Sequence, residues 1–224
     1  MSSYVLKLFA IFFMFLDHFG YSILGKVSVC NYLGRLAFPI FAFQCVQGVI
    51  HTRNPKKHMV KLLLFGIVSQ IPFILFLSTF TKVRYLNIFF TLFLGSFSIY
   101  LFKNINNKFI GFILVALLCT IGEILPVDYG AYGVLLIFIF FICDNNIILK
   151  ILGPFGAILI HNIINILKNI NLLYIYTISM VFTMFSLAFI LLYNGKEGKK
   201  SKYFFYIFYP LHLFLLYLAH MLLY

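Results

Sequence analysis

The stretch LKLFAIFFMFLDHFGY, Leu6 to Tyr21, is long and apolar enough to cross a bilayer, yet it carries Lys7, Asp17 and His18. A membrane span needs about 20 mostly apolar residues. An ionisable side chain within hydrocarbon is costly and is usually kept for function. The reading of this one segment therefore decides both the fold class and where the chemistry is to be sought.

The rest of the chain has the same character. Of its 224 residues 63% are hydrophobic and 10% charged, and the mean hydropathy is +1.06. Soluble domains are about 45–50% apolar and about 25% charged. The composition predicts an all-α, polytopic transmembrane helical bundle, a single integral membrane domain over 1–224 with no separate soluble part. The four cysteines, Cys30, Cys45, Cys119 and Cys143, are scattered, with neither metal-ligand spacing nor a disulfide framework. No metal is expected. The first apolar run carries charges and lacks a small-x-small cleavage site, so it reads as a retained first span.

Span length and punctuation predict nine helices, near 4–24, 33–51, 58–78, 86–102, 109–123, 130–143, 147–166, 172–193 and 202–223. The fifth and sixth are short, so eight spans plus a re-entrant pair is the alternative. Asn54-Pro55 reads as an N-cap followed by proline at the first helical position.

A net charge of +12 invites a nucleic-acid reading. The charges instead sort by membrane side, which excludes that partner class. With loops numbered from zero at the N-terminus, the even segments hold twelve of the seventeen cations: Lys7, Arg53, Lys56, Lys57, Lys61, Lys103, Lys108, Lys150, Lys196, Lys199, Lys200 and Lys202. The odd segments hold Lys26, Arg35, Lys82, Arg84 and Lys168. The positive-inside rule then predicts a multi-pass cell-membrane protein with a cytoplasmic N-terminus and an outer C-terminus.

Within the first span, Lys7 and His18 are three helical turns apart, offset by roughly 20° and separated by about 16 Å along the axis. They share one face, with Ile11 and Met14 between them. Asp17 points about 80° away from His18, and adjacent side chains on a helix do not face each other. Asp17 is therefore expected to serve a neighbouring span. Each residue has a plainer reading. Lys7 can snorkel to the interface, and His18 can be a neutral histidine bonded to a carbonyl. Asp17 is harder to explain so, because a carboxylate in hydrocarbon must be paired or protonated.

Other spans add polar groups. Arg35 stands at the outer end of the second, which also buries Gln44 and Gln47, with Gly48 permitting close packing. His51, Thr52 and Arg53 close it, followed by Lys56 and Lys57, for which a positive-inside flank is the plain reading. In the last span Pro210 frees the Tyr206 carbonyl and favours a kink. His212 lies near mid-depth, where it and His18 are expected to face one cavity. His58 and His220 are expected to be solvated. DYGAYGV, residues 128–134, reads as a glycine-rich outer turn, either an acceptor-lining loop or a tight connection.

Seven blocks carry a resemblance: LKLFAIFFMFLDHFGY, LGRLAFPIFAF, GVIHTRNPKKH, SQIPF, LNIFFTLFLG, DYGAYGV and YFFYIFYPLHL. In this order they resemble the TraX family, named for an integral membrane enzyme that acetylates the N-terminus of conjugative pilin. The resemblance runs over almost the whole chain and is least distinctive at 96–127. The Lys7-x10-His18 spacing is also similar to the basic-x10-His signature of acyltransferase type 3 membrane proteins.

The resemblance implies an acetyltransferase of the transmembrane acyltransferase type. Acetyl-CoA is then the co-substrate, its phosphates held at the inner face by Lys7, Arg53, Lys56 and Lys57 through charge-assisted contacts. His18 is the expected general base, since imidazole titrates near neutral pH. Asp17 orders a neighbouring donor, and Arg35 or His212 stabilises the oxyanion or positions the acceptor. The acceptor is an amine or hydroxyl on a secreted or membrane-associated peptide or glycan, and membrane lipids surround the protein. Direct transfer and an acetyl-histidine intermediate both remain open. The rival class is a small proton-coupled secondary transporter using Asp17, His18 and His212 as a relay. No inverted repeat speaks for it, and a non-catalytic scaffold leaves the Asp-His pair unexplained.

Overall fold

A computed structural model of the chain describes residues 1–199 and 203–224. Lys200, Lys202 and the expected start of the ninth span lie outside the described residues. The protein is an integral membrane, all-helical bundle. Its helices are α1 (Ser3–Ser22), α2 (Val29–Gly34), α3 (Ala37–His51), α4 (Pro55–Leu77), α5 (Ile88–Asn104), α6 (Lys108–Ile124), α7 (Gly130–Ile142), α8 (Leu149–Lys168), α9 (Leu173–Leu191) and α10 (Phe204–Leu223). A 3₁₀ turn, Ile170–Leu172, leads into α9.

Six segments are long and apolar enough to cross a membrane: α1, the α2–α3 pair taken together, α4, α8, the 3₁₀ turn with α9, and α10. At 20 residues, α1 is about 30 Å long, matching the hydrocarbon thickness. Helices α5 and α7 are apolar but shorter, and α7, with 13 residues, reaches only about 20 Å. Every expected span thus contains a helix. The second differs in kind, because it begins earlier, at Val29, and breaks into two helices around Arg35 and Leu36.

The local signals that start these helices are legible. Asn54 Oδ1 accepts from the Lys57 amide at 2.9 Å, so Asn54-Pro55 does open α4. Asn107 caps α6 through Phe109 and Ile110. Asn31 Oδ1 accepts from the Ser28 amide at 3.0 Å and holds the start of α2.

The chain divides into two compact units, 1–41 with 72–83 and 154–224, and 42–71 with 84–153. In the first unit α1 packs against α2 and α10, and α2 against α9. α1 and α10 run parallel, since Tyr4 meets Phe205 at one end and His220 Nδ1 donates to the Ser22 carbonyl at the other, at 2.7 Å. His220 is thus tied to backbone rather than solvated. Leu6, Ala10, Phe76, Leu77, Ile158 and Leu213 are buried in this unit.

The second unit is built on α5, α6 and α7, which pack on one another around Leu94, Leu118, Val127 and Val134. Two of its polar residues, Asn87 and Gln70, are spent on structure. Asn87 Nδ2 donates to the Gly66 carbonyl (2.8 Å) and to Gln70 Oε1 (2.7 Å), and Gln70 Nε2 donates to the Tyr85 carbonyl (2.9 Å). The α6–α7 turn docks on Leu86, whose amide donates to Pro126 O while its carbonyl accepts from the Asp128 amide. Tyr129 and Gly130 take left-handed backbone there, with φ of 65° and 48°. DYGAYGV is therefore a tight, hydrogen-bonded connection. His58 is half-buried against Gly48, where a Cβ would stand 3.2 Å from its ring, so it too is less solvated than expected.

Candidate functional site

The polar residues of α1 are completed by partners far away in sequence. Asp17 Oδ1 lies 3.2 Å from Arg35 Nη2, an ion pair between α1 and the α2–α3 junction. The same nitrogen donates to Tyr21 Oη at 2.6 Å, and the guanidinium lies over the Tyr21 ring. Tyr21 in turn stacks on Phe80. Asn31 Nδ2 donates to the Asp17 backbone carbonyl at 2.9 Å and sits 3.5 Å from its carboxylate. The approach is tight enough that a Cβ on Gly34 would collide with the Asp17 side chain. Asp17 thus serves a neighbouring segment and not His18, as its angular position predicts.

His18 turns the other way, toward α10. Its Nδ1 lies 2.8 Å from His212 Nε2, with the two rings nearly parallel. His212 Nδ1 lies 2.8 Å from the Phe208 carbonyl oxygen. These two distances fix the proton positions in the neutral pair. A carbonyl can only accept, so His212 Nδ1 carries the hydrogen. His212 Nε2 is then the acceptor, and His18 Nδ1–H donates to it. What remains on His18 is the Nε2 lone pair, which is the group a general base requires. Phe76 packs on the His18 ring at 4.8 Å, and Phe208 stacks on His212 at 4.8 Å. His212 is buried, whereas His18 is only partly so.

The structure therefore brings His18 and His212 into direct contact, and Asp17 with Arg35. Lys7 lies near the start of α1, its Nζ 5.7 Å from the Phe205 ring centroid. Arg53, Lys56 and Lys57 are exposed about the start of α4, in the second unit. Sequence reasoning missed Asn31, Tyr21 and the Phe208 carbonyl. Ser28-x-x-Asn31 carried a readable helix-start spacing, but nothing local marked Asn31 as a partner of Asp17. Tyr21, four residues after Asp17, was readable as a same-face neighbour. The role of a backbone carbonyl has no residue-type signature.

Known proteins resemble the chain at sequence level only, and no solved structure matches it. The chain is 34% identical over 86 residues to the probable fimbrial assembly protein FimC, serogroup H1, of Dichelobacter nodosus, covering 37% of this chain and 35% of that protein. It is 27% identical over 146 residues to an uncharacterized protein of Rickettsia prowazekii, covering 63% and 56% respectively. These matches span about a third and just over half of the two relatives. The TraX protein family matches residues 2–220, so both α1, with its Asp17-His18 pair, and His212 of α10 fall inside the match, and the chain belongs to the TraX family.

Proposed function

We propose that the protein is a membrane-embedded acetyltransferase that moves an acetyl group from cytosolic acetyl-CoA to an acceptor at the outer side of the membrane. The observation that carries this reading is the Phe208–His212–His18 chain, which leaves an unprotonated imidazole nitrogen on a partly exposed histidine. Family membership supports it. The acceptor we favour is the terminal amine of a secreted fibre subunit, because one relative is named a probable fimbrial assembly protein. A glycan hydroxyl would use the same chemistry.

In the proposed reaction the acceptor nitrogen attacks the thioester carbonyl carbon while His18 Nε2 takes its proton. The C–S bond then breaks, and the imidazolium returns that proton to the departing CoA thiolate. The products are the acetylated acceptor and CoA thiol, and His18 is neutral again. His212 holds the base in the productive tautomer throughout. Asp17 and Tyr21 fix Arg35, whose charge is the candidate for stabilising the oxyanion or positioning the acceptor. Lys7, Arg53, Lys56 and Lys57 are the candidate cations for the donor's phosphates.

The test is release of CoA thiol by the purified protein given acetyl-CoA and a short peptide with a free N-terminus, with mass spectrometry of the peptide. Acetylated peptide from the parent protein, lost about 10²–10⁴-fold in folded His18→Gln, is the expected result. Near-normal turnover in that variant removes His18 as the base. A hydrogen-bonded histidine pair also suits a proton relay, so the second reading is a proton-coupled transporter. Absence of CoA binding together with proton uptake in proteoliposomes would establish it instead.

A further inference from the structure

The sequence NGKEGK, Asn194 to Lys199, connects α9 to α10 and has no part in the chemistry described so far. It places two lysines beside two glycines in left-handed backbone, Gly195 at φ 76° and Gly198 at φ 77°. The loop is exposed, yet it is pinned to the start of α1. The Ser3 amide donates to Lys196 O at 2.8 Å, the Tyr4 amide to Glu197 O at 3.0 Å, and the Asn194 amide to Met1 O at 2.9 Å. The Met1 ammonium donates to the Leu192 carbonyl. A Cβ on Gly198 would strike Ser2, so the glycine permits the approach as well as the turn.

The clamp spends the loop's carbonyls and leaves its donors. Asn194 Oδ1 accepts from the Lys196 amide. Among the described residues, the amides of Gly195, Glu197 and Gly198 donate to no group of the chain. Successive backbone amides in a turn form anion-binding concavities, and those of Glu197 and Gly198 are adjacent in this loop. Lys196 and Lys199 outweigh Glu197 and leave the loop net positive.

The position along α1 gives the loop a ligand. The clamp grips residues 1–4, one turn before Lys7, and His18 lies about 16 Å beyond Lys7 on the same helix face. A pantetheine arm is about as long as four to five extended residues, or roughly 15–17 Å. An anion held by lysine side chains one turn past the clamp, level with Lys7, would therefore carry a thioester to the depth of His18.

We propose that the Asn194–Lys199 loop, with the start of α1, binds the phosphoanhydride of the acyl-CoA donor. This rests on the acetyltransferase reading, and it places phosphate recognition within the same unit as the histidine pair. A phospholipid headgroup offers the same phosphate chemistry, and the experiment separates the two.

Full-length protein in nanodiscs of phosphatidylcholine alone is titrated with CoA and with pantetheine, which lacks the phosphates. Lys196→Gln/Lys199→Gln is expected to weaken CoA binding at least about tenfold, the loss of one charge-assisted hydrogen bond, and to leave pantetheine binding unchanged. Gly198→Ala, which disturbs the clamp without removing charge, is expected to weaken CoA in the same direction. Equal CoA affinity in parent and double variant overturns the loop assignment while leaving the acetyltransferase reading intact. A defect that appears only when anionic lipid is added assigns the lysines to headgroups and also overturns it. If the parent binds no CoA at all, the donor reading and this inference fall together.

Discussion

At the scale of single residues, the arrangement hinges on which nitrogen of His18 carries the proton. His212→Leu removes the acceptor for His18 Nδ1–H and frees the tautomer, while His212→Gln restores a side-chain oxygen. Acetyl transfer should fall by roughly 10²-fold or more in the leucine variant and recover partly in the glutamine variant, with CoA affinity constant in both. Equal loss in the two would make His212 a packing residue only. The Asp17–Arg35 pair invites a different measurement. Its side chains are 17% and 27% exposed, so it is neither a surface pair nor a fully buried one. Removing one partner strands the other against protein, at a cost of about 1–3 kcal/mol. Thermal unfolding in detergent should show Arg35→Met destabilised more than the double variant Asp17→Leu/Arg35→Met, and additive losses would deny the coupling.

At the scale of elements, the break between α2 and α3 is what lets Arg35 reach Asp17. The second span is continuous in hydropathy, and its interruption follows from contacts with α1. Asn31 both starts α2 and bonds to the Asp17 carbonyl, and Gly34 passes so close that it tolerates no side chain. Gly34→Ala should therefore separate α1 from α2 and cost about 1–3 kcal/mol, as overpacking does. It should lower the unfolding temperature together with activity, whereas an unchanged unfolding temperature would mean that the helices adjust freely. The starts of α4 and α6 were readable because capping is local: Asn54 and Asn107 act on amides two or three residues ahead. The α2–α3 break was not, because its cause lies on another helix.

At the scale of the whole molecule, the charge asymmetry and the parallel course of α1 and α10 belong together. The N-terminus meets the α9–α10 loop, and Ser22 and Ile23 meet His220 and Tyr224. An odd number of crossings requires such a pairing of ends. A topology reporter fused at Gly198 should thus appear in the cytoplasm and one fused after Tyr224 outside. Both on one side would mean that α10 does not cross the membrane, and the nine-span arrangement would be wrong.

The sequence by itself determined the membrane class, the placement of the helices, their local caps, and the stripe that carries Lys7 and His18. These depend on hydropathy, helical period and short-range hydrogen bonds, all of which act within one or two turns. It also determined that Asp17 could not face His18, since the angle between consecutive residues on a helix is fixed. Only the tertiary structure decided that Arg35 and Tyr21 are the partners of that carboxylate. It alone set His212, 194 residues away, at 2.8 Å from His18 and tied the first four residues to the α9–α10 loop. Such choices depend on the register and rotation of one helix against another. Those are set by close packing at points such as Gly34 and Asn31, and no period along a single segment encodes them.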